Sequence, residues 1–148
     1  MKRTVFIFFV FVILVTLCSC ASKPTEETAI NDIVKYCNAE RKSAGLAELT
    51  LDEELSNAAL VRAGEIISDG NFAHVRPDGR GCFTVIRTAY THAGENLAKG
   101  EPDGRKIVEA WMNSEAHRKN VLTSEFTKIG LAYTEADGVY YWAALFTD

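Results

Sequence analysis

The sequence predicts an α+β layered domain, with helices first and paired strands last. Three observations carry this. Ile30, Ile33, Val34 and Cys37 recur at helical spacing, and Leu55, Ala58, Ala59, Arg62 and Ile66 do so again further on. Residues 128–134 and 139–146 then alternate, rich in aromatic and β-branched side chains, on either side of Asp137-Gly138; that pattern reads as a β-hairpin. No βαβ repeat is visible.

The elements follow in order. A first helix spans residues 28–43 and stops at Gly45. Thr50 with Glu53 three positions on forms a capping box, so a second helix is expected from about Leu51 to Asp69-Gly70. Residues 71–80 are loop, with Pro77-Asp78-Gly79 a strong turn signal. Residues 82–88 suit one or two helical turns, and residues 90–99 an extended segment containing Gly94-Glu95-Asn96. A third helix begins near Asp103 and shows Ile107, Val108, Trp111 and Met112 on one face; a short helix carries residues 117–122. Trp111 and Trp142 read as core.

The first residues belong to a different class of segment. Lys2 and Arg3 precede an apolar run over residues 5–15, shorter than the ~20 residues a spanning helix needs but suited to a signal peptide. Leu17-Cys18-Ser19-Cys20 resembles a lipobox, in which the last cysteine is acylated and becomes the new N-terminus. Residues 1–19 are therefore expected to be a lipoprotein signal peptide, residues 20–27 the lipidated Cys20 with a polar tether, and residues 28–148 the domain. The expected location is extracytoplasmic, anchored to a membrane through the N-terminal lipid, at the cell surface or periplasmic face. Several buried methylenes at ~0.8 kcal/mol each make such an anchor stable.

The formal charge of the 148-residue chain is −4, and losing Lys2 and Arg3 takes it to about −6. No basic patch interleaved with aromatics is present, so nucleic acid is not an expected partner. With Cys18 removed and Cys20 acylated, Cys37 and Cys82 remain. They could form a disulfide worth about 4 kcal/mol, or each could be a small buried apolar residue. Spacing does not choose.

Longer blocks carry a family resemblance. Asn38-Ala39-Glu40-Arg41, Gly45-Leu46 and Leu49-Thr50-Leu51-Asp52 come first, then the run from Phe72 through His74 to Gly79. Gly94-Glu95-Asn96-Leu97-Ala98, the run from Trp111 through His117 to Leu122, Phe126-Thr127-Lys128-Ile129-Gly130 and Tyr141-Trp142 follow in order. Over residues 29–147 the chain resembles the CAP superfamily of cysteine-rich secretory, antigen 5 and pathogenesis-related proteins, in its short bacterial branch.

The resemblance implies a three-layer α-β-α sandwich of the CAP/SCP type with a C-terminal antiparallel hairpin. It also implies a cleft lined by two histidines and two acidic residues. Carried across, these are His74, Glu95 and His117; the fourth place falls on Ser114, where animal and plant members have glutamate, with Glu115 one position on. One helical step turns a side chain by about 100°. Two neutral imidazoles and a carboxylate would suit a divalent cation such as Zn2+ with an open position, which could drive hydrolysis. The blander reading is a set of hydrogen-bonded cleft residues. The resemblance favours a non-enzymatic protein binding a lipid, cell-envelope component or protein partner; the alternative is a divalent-metal-dependent hydrolase acting on envelope material.

Other chemistries fit less well. Ser114 lies three residues before His117, yet neither a Gly-x-Ser-x-Gly elbow nor a Ser-x-x-Lys start surrounds it, and it reads as a cap of the short helix. His-Glu-x-x-His, phosphate-loop and dinucleotide motifs are absent from the sequence. Cys82 has no evident basic neighbour to activate it. His92 reads as surface, Asn96 as a structural amide, and Arg118 and Asn120 as ties between the short helix and the loop after it.

Overall fold

A computed structural model describes residues 26–100 and 102–148; the expected signal peptide, Cys20 and the expected tether up to residue 25 lie outside the described residues. Helix α1 is Glu26–Ser43, strand β1 is Thr50–Leu51 and helix α2 is Glu53–Asp69. A single 3-10 turn covers Cys82–Val85 before strand β2, Ala93–Gly100. Helices α3 (Gly104–Met112) and α4 (Glu115–Val121) precede strands β3 (Lys128–Ala136) and β4 (Val139–Thr147).

The four strands lie in the order β1-β3-β4-β2, with β1 parallel to β3 and the other pairs antiparallel. The β3–β4 turn has φ of 53° at Asp137 and 76° at Gly138. Positive φ at both central residues matches the twist of a two-residue hairpin, as the Asp-Gly signal predicts. Alternation along β4 then builds two cores. Trp142, Ala144 and Phe146 pack with Ile33 and Cys37 of α1, Ile107 and Trp111 of α3 and Val121 of α4. Ala143 and Leu145 face the other way, onto Leu55, Ala59, Ala63 and Ile66 of α2. The result is the expected α-β-α sandwich, with α2 alone on one face.

One helix start differs from expectation. Thr50 belongs to β1 and donates its N–H to the Thr127 carbonyl at 2.9 Å, so it does not cap α2. Asp52 caps instead, its carboxylate accepting from the Leu55 N–H at 2.8 Å. Pairing with β3 holds residues 50 and 51 extended, and Asp52 is the first side chain free to turn back. Glu53 is thereby the first helical residue, too early to complete a capping box.

Gly130 sets how closely α2 approaches the sheet. A Cβ there would lie 2.4 Å from the Leu55 carbonyl oxygen, far inside contact distance. Arg41, fully buried at the end of α1, ties the segments around it. Its guanidinium donates to the carbonyls of Ala47 (2.7 Å), Val121 (2.9 Å), Thr123 (2.8 Å) and Phe126 (2.8 Å). The loop after α4 is thus held by Arg41, not by Arg118 and Asn120 as the sequence suggested. Arg118 is exposed, and Asn120 turns back toward β2.

Candidate functional site: a cleft at the edge of the sheet

Glu95 stands on β2 with its side chain pointing to the α2 face, where Arg62 meets it. Both residues are buried, at 5% and 1% exposure. The Arg62 Nε donates to Glu95 Oε2 at 2.9 Å. Of its terminal nitrogens, one donates to Glu65 (2.9 Å) and the other to the Ala73 carbonyl (2.8 Å) and, at 3.5 Å, to Glu95 Oε1. Glu65 is held from its other side by Arg76, at 2.6 Å, and Arg76 reaches Thr84 at 3.0 Å. Alternating charges therefore run from Glu95 through Arg62 and Glu65 to Arg76, pinning the 71–84 segment against α2.

His74, on that segment, places Nδ1 2.7 Å from Glu95 Oε1, with its side chain 55% exposed. Burial pushes the Glu95 carboxyl up, but hydrogen bonds from His74 and Arg62 outweigh it and hold the group below its ordinary value. Ionised Glu95 only accepts, so His74 Nδ1 carries the hydrogen; in the neutral ring Nε2 is then a bare lone pair facing outward. Cys82 lies beside the same carboxylate. Burial, then the charge of Glu95 and a hydrogen bond to it, raise its thiol pKa to about 11, the opposite of an activated nucleophile.

His117 comes from α4, across the cleft. Its pKa is lowered by burial and by repulsion from His74, so the neutral ring is favoured. Two asparagines fix it. Asn96 Nδ2 donates to the His117 carbonyl at 3.0 Å, while Asn120 Nδ2 donates to the Glu95 carbonyl (3.0 Å) and to Asn96 Oδ1 (2.8 Å). Gly94 leaves room for this clamp, since a Cβ would sit 3.0 Å from Asn120 Oδ1 and the Phe126 ring. The cleft has a volume of about 530 Å³, with His74, Cys82, Phe83, Ala93, His117 and Lys119 among its walls.

The structure thus brings His74, Glu95 and His117 to one cleft, but Ser114 and Glu115 do not line it. Ser114 takes the N-cap position of α4 without a side-chain capping bond, and Glu115 is exposed. Among the described residues no three His, Cys, Asp or Glu side chains are grouped to hold a metal ion. The reason is visible at Glu95: its oxygens are committed to Arg62 and His74, and a cation there would face the Arg62 guanidinium. The zinc set inferred from the resemblance does not fit this arrangement. Cys37 and Cys82 are both free thiols, on opposite sides of the sheet, so the disulfide is not formed. His92 is exposed, and Trp111 and Trp142 are core, as expected. Arg62 and Arg41 went unassigned in the sequence reading; the available signal was an arginine inside an apolar helical stripe, a position tolerated only when its charge is answered.

A three-layer sandwich with a histidine-flanked cleft at one sheet edge defines a class of protein, and comparison with known proteins agrees. The profile of the cysteine-rich secretory protein family, CAP, matches residues 34–146, and the chain belongs to that family. The Bacillus subtilis protein YkwD is 39% identical over 111 residues, covering 73% of this chain and 43% of that protein. The membrane protein YlbC of the same organism is 30% identical over 122 residues, covering 80% of this chain and 34% of YlbC. The chain therefore spans less than half the length of the curated relatives it matches. Among solved structures, an outer surface protein from Borrelia burgdorferi superposes with a TM-score of 0.76 at 21% identity, covering 86% of this chain and 97% of that one. An extracellular SCP-domain protein from Bacillus anthracis gives 0.70 at 27% identity, covering 82% and 41%.

Proposed function

We propose that this is a lipid-anchored extracytoplasmic CAP-domain protein that binds a lipid, envelope or protein ligand in the His74–His117 cleft without turning it over. The observation that carries the reading is the state of Glu95. Its carboxylate is buried, ionised and fully engaged by Arg62 and His74. Such a group is a fixed acceptor that orients an imidazole. It is too weak a base, and too closely matched by an arginine, to serve as general base or metal ligand. What remains for a ligand is the His74 Nε2, the His117 ring, the Lys119 ammonium and the Phe83 ring. Anchoring is supported by the Leu17-Cys18-Ser19-Cys20 sequence and the short polar stretch between it and α1.

The test is a zinc titration by calorimetry on the full chain in detergent, beside His74→Ala and His117→Ala. The expected result is no tight one-to-one binding. Tight stoichiometric zinc lost in both variants would overturn the reading and put metal-dependent hydrolysis of envelope material first. Anchoring is checked separately: Cys20→Ala should abolish incorporation of labelled palmitate and release the protein from the membrane fraction.

A further inference from the structure

The cleft floor is the edge of the sheet, and the hydrogen-bond parity of the strands shows which backbone groups face into it. Thr50 N–H bonds to the Thr127 carbonyl and Asp52 N–H to the Ile129 carbonyl, so odd-numbered residues of β3 point toward β1. Even-numbered ones, such as Gly130 opposite Leu145, therefore bond to β4. Leu145 being spent on β3, β4 turns Phe146 and Ala144 toward β2, where they oppose Gly94 and Asn96. Ala93, Glu95 and Leu97 must then point their N–H and C=O groups off the sheet. Two side chains confirm the parity independently: Asn120 Nδ2 takes the Glu95 carbonyl, and Trp111 Nε1 takes the Leu97 carbonyl at 3.1 Å.

These caps end at Glu95. The Ala93 amide and carbonyl and the Glu95 amide face outward within the cleft, and no side chain or loop of the described residues bonds to them. Glu95 is 5% exposed as a residue but only 1% through its side chain, so the exposure that remains lies on its backbone, where the amide faces the cleft and is open to a ligand acceptor. Walls stand on both sides of this edge: His74, Cys82 and Phe83 on the α2 side, Ala116, His117 and Lys119 on α4. An open strand edge between two walls is a slot for one further strand.

We infer that the ligand of this cleft is an extended peptide segment that pairs with Ala93 and Glu95 at the open edge of β2. Its backbone accepts from the Ala93 and Glu95 amides and donates to the Ala93 carbonyl, and a further N–H meets the His74 Nε2. Asn120 closes the edge after Glu95 and limits pairing to about three ligand residues, each rising ~3.3 Å. Lys119 at the rim suits a carboxylate at the end of the segment. The inference rests on the reading of this cleft as a ligand site and names the chemistry that fills it.

The experiment is an amide and imidazole NMR titration of the 15N-labelled full chain in detergent. The probes are acetyl-trialanine carrying a free carboxylate and the same peptide methylated on its central nitrogen. The expected result is saturable shifts at the Ala93 and Glu95 amides with the first peptide, and affinity at least about tenfold weaker with the second, the worth of one lost hydrogen bond. Ala93→Pro, which removes an N–H that β4 does not use, should bind as weakly as the methylated probe shows while keeping its melting temperature. Equal affinity for both probes, with His74 and His117 rings shifting but the edge amides still, would overturn strand pairing while leaving the cleft a binding site. No shift anywhere with either peptide would overturn the peptide inference, and zinc or lipid titration would then decide the broader reading by itself.

Discussion

Arg62 determines what Glu95 is able to be. With the guanidinium present, burial of the carboxylate is answered; with Arg62→Met, an ionised group would remain in an apolar wall. That substitution should cost about 3–5 kcal/mol in urea unfolding, the scale for an uncompensated buried charge. Adding Glu95→Gln should recover more than half of it, because the charge goes with its partner. The pH dependence has a definite sign. The folded pKa of Glu95 lies below its ordinary value of 4.5. Its contribution is therefore complete above pH 4.5 and is lost as pH falls through the folded pKa. Glu95→Gln should flatten the acid limb of a stability–pH curve. His117 gives a second residue-scale test: its ring, shifted down by burial and His74, should titrate below 6.5 by 15N NMR, and His74→Ala should move it back toward that value.

At the scale of elements, two close fits fix the layers. Gly130→Ala would drive a methyl into the Leu55 carbonyl, and overpacking against backbone should cost at least ~1–3 kcal/mol, read from the urea midpoint at unchanged slope. Arg41→Lys keeps a charge but cannot reach four carbonyls from one ammonium; a loss of about 3 kcal/mol is expected from the acceptors left unmet. These contacts also mark what the sequence could and could not disclose. The helices and the hairpin were legible because burial writes a period of 3.6 or 2 into Leu55–Ile66 and Val139–Phe146. Strand β1 was not, since its two residues are extended only by pairing with β3, 78 positions away in register at Thr50 and Lys128. His74, Glu95 and His117 stood out through family blocks. Arg62, which sets the behaviour of Glu95, did not, because its partner lies 33 positions further along the chain.

For the molecule as a whole, the sheet is a partition between two cores, and the cysteines fall on either side of it. Burial drives the Cys37 thiol up to about 12 and the Cys82 thiol to about 11. Alkylation at pH 8 followed by mass spectrometry should leave both unmodified until denaturant is added, and a reducing agent should leave the melting temperature unchanged. Among the described residues stability comes from two packed cores, without a covalent staple.

Strand β4 occupies the middle of this sheet although it comes last in chain order among the four described strands. Among the described residues strand β2 has no neighbour but β4, and β3 joins β2 only through it. A polypeptide threaded N-terminus first through a translocation channel therefore cannot close its sheet until residue 147 has emerged. Until then both cores lack a wall, and the segment inside the channel stays unfolded and easily pulled. For the extracytoplasmic location proposed above, delayed assembly of this kind would let the chain cross a membrane open and acquire its shape only on the far side.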